Sequence, residues 1–223
     1  MRRSNNQYIG RFAPSPSGGL HFGSLVSAIA SYVDARQHFG QWILRIDDID
    51  QPRTKSGAAE SIIHTLNAFG FKWNNSIQWQ SERISQYEQV IQELKDRNAV
   101  YICACSRKEI AKIAASGVDG MIYPGTCRDQ GHKENSSRAI RIRTNSERIY
   151  FSDRVFGHFE QNLETLSGDF IIRRADKITA YQLAVVVDDY LDQISHVVRG
   201  ADLLMSTCKQ IYLGELLGYP TLD

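Results

Sequence analysis

RFAPSPSGGLHFGS, residues 11 to 24, is the stretch on which the reading of the fold turns. Tyr8 and Ile9 form a short apolar approach and an amphipathic run from residue 25 to about 39 follows, so a strand is expected to enter the stretch and a helix to leave it. A turn of that kind is a place to hold phosphate. Gly18, Gly19 and Gly23 let backbone come close to a ligand, and the helix beyond offers free N–H groups and the positive end of its dipole. His21, two residues before Gly23, can donate to a phosphoryl oxygen as its charge grows, which makes it an electrostatic stabiliser and not a nucleophile. No GK[ST] follows, so this is not the P-loop, and the dinucleotide pattern GxGxxG is absent. The alternative is an ordinary loop with Ser24 capping the helix.

Outward from that turn, Leu25, Ala28, Ile29 and Tyr32 fall at i, i+3, i+4 and i+7, the buried stripe of a helix for which Gly40 is the expected stop. Residues 42–46 have strand character and run directly into Asp47-Asp48-Ile49-Asp50. Ligands of open α/β sheets bind beyond the carboxyl ends of strands, so these acids are placed to meet whatever the first loop holds. Three acids so close form a metal site, a substrate clamp or a hydrated loop. A second helix is expected over residues 56–69, with Ala59, Ile62, Ile63 and Leu66 inward and Gly70 at its end. A third is expected from about Ser85, with Ser85 and Glu88 at capping-box spacing and Tyr87, Val90, Ile91 and Leu94 inward. Trp73 and Trp79 are read as packing residues.

From Val100 the organisation changes. Cys103, Cys105 and Cys127 are three thiols that can converge on a structural zinc, which takes soft sulfur ligands tetrahedrally and can staple a small insertion; the alternative is a set of buried thiols without metal. No second CxxC or HxxxH supplies a fourth ligand. Residues 138–143, 149–156 and 168–174 have strand character, and their basic residues suit either a phosphate backbone or a wet face. Residues 181–189 alternate bulky and small side chains ahead of two acids, and residues 195–198 read as a short buried strand. Arg199 follows that strand, where an arginine faces the ligand crevice and suits a carboxylate. Residues 201–217 have helical spacing, with Cys208 as a packing thiol.

The 223 residues, 42% of them hydrophobic, can bury a sizeable core as one domain with an insertion or two small domains. A net charge of +1 excludes a generic polyanion binder, although residues 101–150 hold nine Lys or Arg against five Asp or Glu. MRRSNN at the start lacks the apolar core of a secretory signal, and no apolar run approaches the ~18 residues needed to cross a bilayer, so a cytoplasmic protein without membrane contact is expected.

Three segments, RFAPSPSGGLHFGS, LRIDDIDQPR at 44–53 and YQLAVVVDDYLDQISHVVRG at 181–200, resemble the class I glutamyl-tRNA synthetases in the form used by their short glutamyl-Q branch, and the likeness runs over nearly the whole chain. The resemblance implies an α/β, Rossmann-like catalytic domain with a parallel sheet. Its halves are expected at 1–100 and 168–223, split by a zinc-containing, acceptor-binding insertion at 101–167. It implies that Arg11, Phe12, Ala13, Pro14, Ser15, Asp47, Tyr181 and Arg199 bind L-glutamate, with Asp47, where the family often has Glu, on the α-amino group and Asp50 and Arg53 shaping the pocket. Gly18, Gly19, His21 and Gly23 would bind ATP, with His21 and Gly23 acting on the triphosphate and Mg²⁺ arriving with the nucleotide. Ordinary members close the zinc set with a histidine, but Asp129 stands in its place here. In the glutamyl-Q branch the tyrosine of YxGxC serves, which makes the set Cys103, Cys105, Tyr123 and Cys127, with His132 as a substitute.

The implied reaction is ATP-dependent formation of glutamyl-adenylate and transfer of glutamate to queuosine in the anticodon of tRNA(Asp), by a monomer. Family members carry a second signature, the KMSKS-type loop, somewhat beyond the position of residue 223, and no such loop occurs in these residues. The alternatives are a truncated glutamyl- or glutaminyl-tRNA synthetase, or a non-catalytic module that binds glutamate or tRNA.

Overall fold

A computed structural model describes residues 7–117, 120–135 and 137–223, so the opening MRRSNN, read above as no secretory signal, lies outside the described residues. The chain divides into two compact units, one of Met1–Ile84, Val187–Leu204 and Gly218–Asp223, the other of Ser85–Val186 and Met205–Leu217. Among the described residues no helix is long and apolar enough to cross a membrane.

In the first unit β1 (Ile9–Phe12) runs through α1 (Phe22–Gln37) to β2 (Gln41–Ile46), followed by α2 (Ala58–Ala68) and β3 (Gln78–Trp79). The three strands pair in parallel in the order β1-β2-β3, with Ile9 opposite Gln41 and Arg45 opposite Gln78. A parallel pair needs a crossover, which α1 supplies, and a strand covered on both faces reads as a continuous apolar run, as β2 does from Trp42 to Leu44. Tyr8, Phe12, Trp42, Leu44, Ile46, Ile62, Leu66 and Phe71 form the core, with Trp73 and Trp79 packed against it as expected. Trp42 is fully buried, edge-on to Tyr32, stacked on Phe71, and its indole N–H donates to Ser31 Oγ at 3.0 Å.

Three readings of α1 are corrected. The helix begins at Phe22 because His21, not Ser24, is the cap: its Nδ1 accepts the Ser24 N–H at 3.3 Å. Its buried residues are Ala28, Ser31 and Ala35, while Ile29 is 47% exposed. Small residues let the helix lie close to the sheet, which turns the larger Ile29 outward. Nor does Gly40 supply the left-handed stop, because Phe39 does, at φ 53°. Gly40 is required for close approach instead: a Cβ there would lie 2.5 Å from the Tyr8 carbonyl, which accepts the Gln41 N–H where β1 and β2 begin to pair.

The second unit opens with α3 (Ile84–Asp96), whose buried face is Tyr87, Val90, Ile91 and Leu94 as read from the spacing. The expected capping box is absent. A 3-10 turn at Gln80–Arg83 runs straight into the helix, Ser85 Oγ turns to Gln86, and Glu88 accepts from Arg173 Nη1 at 3.1 Å. β4 (Val100–Cys103) leads to α4 (Arg107–Ile113), capped by a Ser106–Glu109 box, and to the short pair β5 (Ser116–Gly117) and β6 (Gly120–Met121). Then come β7 (Ala139–Ile142), a hairpin of β8 (Arg148–Asp153) and β9 (Gly157–Asn162), the turn α5 (Leu163–Leu166) and β10 (Ile171–Arg173). β10, β7 and β4 form an antiparallel sheet in that order.

α6 (Tyr181–Leu191) is a helix, which the bulky-and-small alternation of the segment does not reveal. Leu183, Ala184, Val185 and Val187 are all buried, so the segment is apolar nearly all round and its pattern carries no usable period. Residues 195–198 are not a regular strand, although the Ser195 N–H donates to the Ile9 carbonyl at 2.9 Å. The helix expected over 201–217 is a 3-10 segment, Ala201–Ser206, followed by α7 (Thr207–Leu217). Cys208 is buried in α7, and burial pushes its thiol up to about 11.

Candidate active site

The loop after β1 is strapped to the loop after β2 by two backbone bonds. Pro14 O accepts the Asp47 N–H at 3.0 Å and Pro16 O accepts the Lys55 N–H at 2.9 Å. Ser15, Pro16, Ser17, Asp47, Asp50, Arg53 and Thr54 therefore line one cleft at the carboxyl ends of the parallel strands. Asp48 is not free for a ligand, since its Oδ1 accepts the Ser81 N–H at 2.9 Å and its Oδ2 the Ser81 hydroxyl at 2.7 Å. That use of its carboxylate weakens the reading of the acids as one metal site.

Behind the cleft lies a buried ion network. Arg45, wholly inaccessible in β2, donates from Nε to Asp47 Oδ1 at 2.9 Å and from Nη1 to Asp189 Oδ1 at 2.9 Å and Asp192 Oδ2 at 3.3 Å. Arg11 grips the same Asp189 in a fork, Nε to Oδ1 at 3.2 Å and Nη2 to Oδ2 at 3.2 Å. Arg83 spans Asp188 and Asp192, and Gln80 donates to Asp188 Oδ2 at 2.7 Å.

The carboxyls respond differently. Burial pushes Asp47 up to about 6, only partly opposed by Arg45, whose charge is shared among four carboxylates. Asp189 is lowered: burial works against it, but the two guanidiniums of Arg11 and Arg45 outweigh burial. Arg45 is raised well above its ordinary value because the surrounding carboxylates overcome the effect of burial.

Of the residues expected at the glutamate site, Ser15 and Asp47 share the cleft and Arg11 and Asp47 share the network. The Phe12 ring is buried and stacked on Trp42 at 6.3 Å, so it serves the core. Ala13, Pro14 and Arg199 are half-buried. Tyr181 opens α6 in the second unit and is 38% exposed. His21 and Gly23 stand exposed at the start of α1, and a Cβ at Gly23 would lie 3.3 Å from His21 Nδ1, so the glycine lets the imidazole fold back over the helix end. Gly18 has open space around its Cβ direction and Gly19 meets only Ser61 Oγ at 3.8 Å.

Arg45, Asp188, Asp189, Asp192 and Arg83 were not singled out as site residues from sequence. One signal existed: a lone arginine inside the buried run QWILRI demands counter-ions, and a helical reading of 181–191 would have put Asp188, Asp189 and Asp192 near one another at its end.

In the second unit the sulfurs of Cys103, Cys105 and Cys127 all lie within 4.8 Å of one another. The Tyr123 hydroxyl is 3.4 Å from both Cys103 Sγ and Cys105 Sγ and accepts the Cys127 N–H at 3.0 Å. Burial pushes Cys105 up to about 11. At Cys127 burial acts in the same direction but is outweighed by hydrogen bonds from Tyr123, the Ala104 N–H and Cys105, which bring the thiol down to about 6. Asp129 turns away to Arg143 at 3.0 Å, and among the described residues the cluster brings no histidine to its sulfurs. The strand arginines are occupied within the fold. Arg141 is buried with its guanidinium 3.7 Å over the Tyr123 ring, and Arg143 binds Asp129 and the Arg128 carbonyl, so neither forms the wet or phosphate-facing stripe that alternation suggested.

The family described as class I tRNA synthetases (E and Q), catalytic domain, matches residues 9–222. A protein of Aromatoleum aromaticum named glutamyl-Q tRNA(Asp) synthetase is 51% identical over 96% of this chain and 68% of its own length, and one of the same name from Neisseria gonorrhoeae is 49% identical over 96% and 74%. Among solved structures, a glutamate tRNA ligase from Elizabethkingia meningosepticum, crystallised with its amino acid, superposes with a TM-score of 0.85 at 25% identity. The match covers 98% of this chain, which spans about half of that structure, 48%. A glycine-rich turn feeding α1, acids beyond β2 and about half of all positions shared with the two named synthetases lead to one conclusion: the chain belongs to the class I (E and Q) tRNA synthetase family, in its glutamyl-Q branch.

Proposed function

We propose that the chain activates L-glutamate with ATP and passes the glutamyl group to queuosine in the anticodon of tRNA(Asp), working in the cytoplasm. The observation that carries the glutamate reading is the buried network that holds a carboxylate, Asp47, and a guanidinium, Arg11, in one hydrogen-bonded frame. An amino acid with a second carboxylate offers the complementary charges. Asp47 takes the ammonium, Arg11 and Arg199 take the two carboxylates, and Ala13 and Ser15 hold the first loop against the substrate. The specificity for queuosine and tRNA(Asp) rests on the kinship with the named relatives.

Activation requires a glutamate carboxylate oxygen to attack the α-phosphorus of ATP while pyrophosphate leaves, so the protein mainly positions two anions and neutralises growing charge. Gly18, Gly19 and the start of α1 would cradle phosphates, with His21 and Gly23 at the triphosphate and Mg²⁺ carried in with the nucleotide. No side chain needs to act as a base, because the attacking carboxylate is already ionised.

The three sulfurs and the Tyr123 hydroxyl fit a structural zinc. A tetrahedral ion bound to sulfur at 2.3 Å and oxygen at 2.0 Å separates S from O by about 3.5 Å, and the Tyr123 oxygen lies 3.4 Å from two of the sulfurs. We assign Cys103, Cys105, Cys127 and Tyr123 to that site, within an acceptor-binding insertion spanning 101–167 between catalytic halves at 1–100 and 168–223.

Glutamate-dependent exchange of labelled pyrophosphate into ATP, measured without tRNA on this chain and on a form extended through any downstream coding sequence, tests the reading. Exchange is expected; its absence from both forms despite glutamate binding would reduce the protein to a binding module. The network also predicts a pH dependence. Asp47 binds an ammonium only when ionised, and its carboxyl lies at about 6, so glutamate affinity is full above that value and falls as pH drops through it. Below the midpoint, Kd is expected to rise about tenfold per pH unit, and Asp47→Asn should flatten the profile in calorimetric titrations between pH 5 and about pH 8.

A further inference from the structure

We propose that Arg45 and Asp189 are positioning residues that set the spacing between the two halves of the glutamate site. One chain of hydrogen bonds, Asp47–Arg45–Asp189–Arg11, joins the carboxylate assigned to the ammonium to the guanidinium assigned to a carboxylate. The inference rests on the glutamate reading above and deepens it.

The geometry divides the labour atom by atom. Arg45 Nε engages Asp47 Oδ1, which leaves Oδ2 to face an ammonium. Asp189 spends both oxygens on the Nε and Nη2 side of Arg11, which turns the Nη1 edge towards Val198 O at 3.5 Å and makes that edge the one that reads a substrate carboxylate. Arg45 itself is fully buried and touches no ligand, so it acts only through the two groups it holds.

The cost of burying these charges gives a second reason. Three guanidiniums, Arg11, Arg45 and Arg83, meet four carboxylates, Asp47, Asp188, Asp189 and Asp192, in this network. A buried ion cluster seldom stabilises a fold more than apolar packing of equal volume would, so stability alone does not account for this one. A frame that holds the two substrate-facing groups at a fixed spacing does.

The test is calorimetric binding of glutamate and, separately, of ATP to the full chain carrying Asp189→Asn, Arg45→Lys, Asp47→Asn, or Arg45→Lys with Asp47→Asn. Asp189→Asn and Arg45→Lys are each expected to weaken glutamate at least about tenfold while ATP affinity stays within about twofold. Arg45→Lys should also move the pH midpoint of glutamate binding upward, because Arg45 is the group that holds Asp47 down. In the Asp47→Asn background, Arg45→Lys should add little, as expected of residues acting in one chain. Should Arg45→Lys fail to fold, Asp189→Asn, which keeps an oxygen acceptor in place, carries the test. Variants that bind glutamate like the wild type with an unmoved pH midpoint, or losses that simply add, would overturn the positioning role. A wild-type chain that binds no glutamate would instead overturn the glutamate reading itself, and this inference with it.

Discussion

Replacing Arg11 by glutamine is expected to lower kcat/KM for glutamate-dependent pyrophosphate exchange by about a thousandfold, or roughly 4 kcal/mol. Arg11 is 4% exposed and has Asp189 on one side and, in the proposed complex, a substrate carboxylate on the other. Glutamine keeps a donor but removes the charge and the fork, so the substrate carboxylate must be desolvated without compensation. The chain should still fold, because Asp189 keeps Arg45 at 2.9 Å as a counter-ion. The loss should therefore appear in glutamate binding and exchange, with ATP affinity retained. A variant whose exchange falls less than about tenfold would show that Arg11 is structural and that the carboxylates are read elsewhere.

Gly168→Ala should be the most damaging small substitution in the second unit. Gly168 has φ 64°, and a Cβ there would run into the Tyr123 carbonyl and lie 2.9 Å from the Tyr123 amide nitrogen. Both obstacles are backbone, tied down by the Tyr123–Gly168 bridge and by the Gly168 N–H donating to Leu163 O at 2.8 Å. The left-handed conformation costs about 1 kcal/mol for alanine, and forced displacement of packed backbone adds about 2–3 kcal/mol more. A fall in Tm of about 10 °C follows for a chain of this size. Tyr123 carries the hydroxyl assigned to the proposed zinc site, so any zinc held there, measured by atomic emission, should fall as well. Gly125→Ala is the control, since it shares a left-handed φ of 75° but would meet Arg128 Cβ only at 4.0 Å. Equal losses in the two variants would assign the effect to backbone conformation and dismiss the collision.

The parallel pair and the placement of acids at its end were legible because they follow from local rules: apolar strand, glycine-rich turn, crossover helix, then charge beyond the second strand. The cap of α1 was not. His21 displaces Ser24 only because Gly23 gives the imidazole room to fold back, and a propensity for capping says nothing about that room. α6 was not read as a helix because YQLAVVVDDYL carries β-branched residues in a helix buried on nearly every side, where packing overrides local preference. Missing that helix also hid the ion network, since Asp188 and Asp189 come from it and Arg45 from a strand 144 residues before Asp189. The three thiols were visible as a set, and the tyrosine was reached by kinship; nothing in the spacing alone singles out the Tyr123 oxygen. The basic residues of 138–143 show the limit of alternation, because Arg141 lies buried against a ring 3.7 Å away.

Trp42 turns the first unit into its own optical instrument. Its indole is sealed from water and hydrogen-bonded to Ser31, and it lies parallel to Phe12, the immediate neighbour of Arg11. Emission from this ring should be blue-shifted and poorly reached by aqueous quenchers, in contrast to the half-buried Trp73 and Trp79. Changing those two to phenylalanine would leave one tryptophan adjoining the strand that carries Arg11, so a change in its emission on mixing with amino acid could be followed in real time, without label, isotope or coupled enzyme.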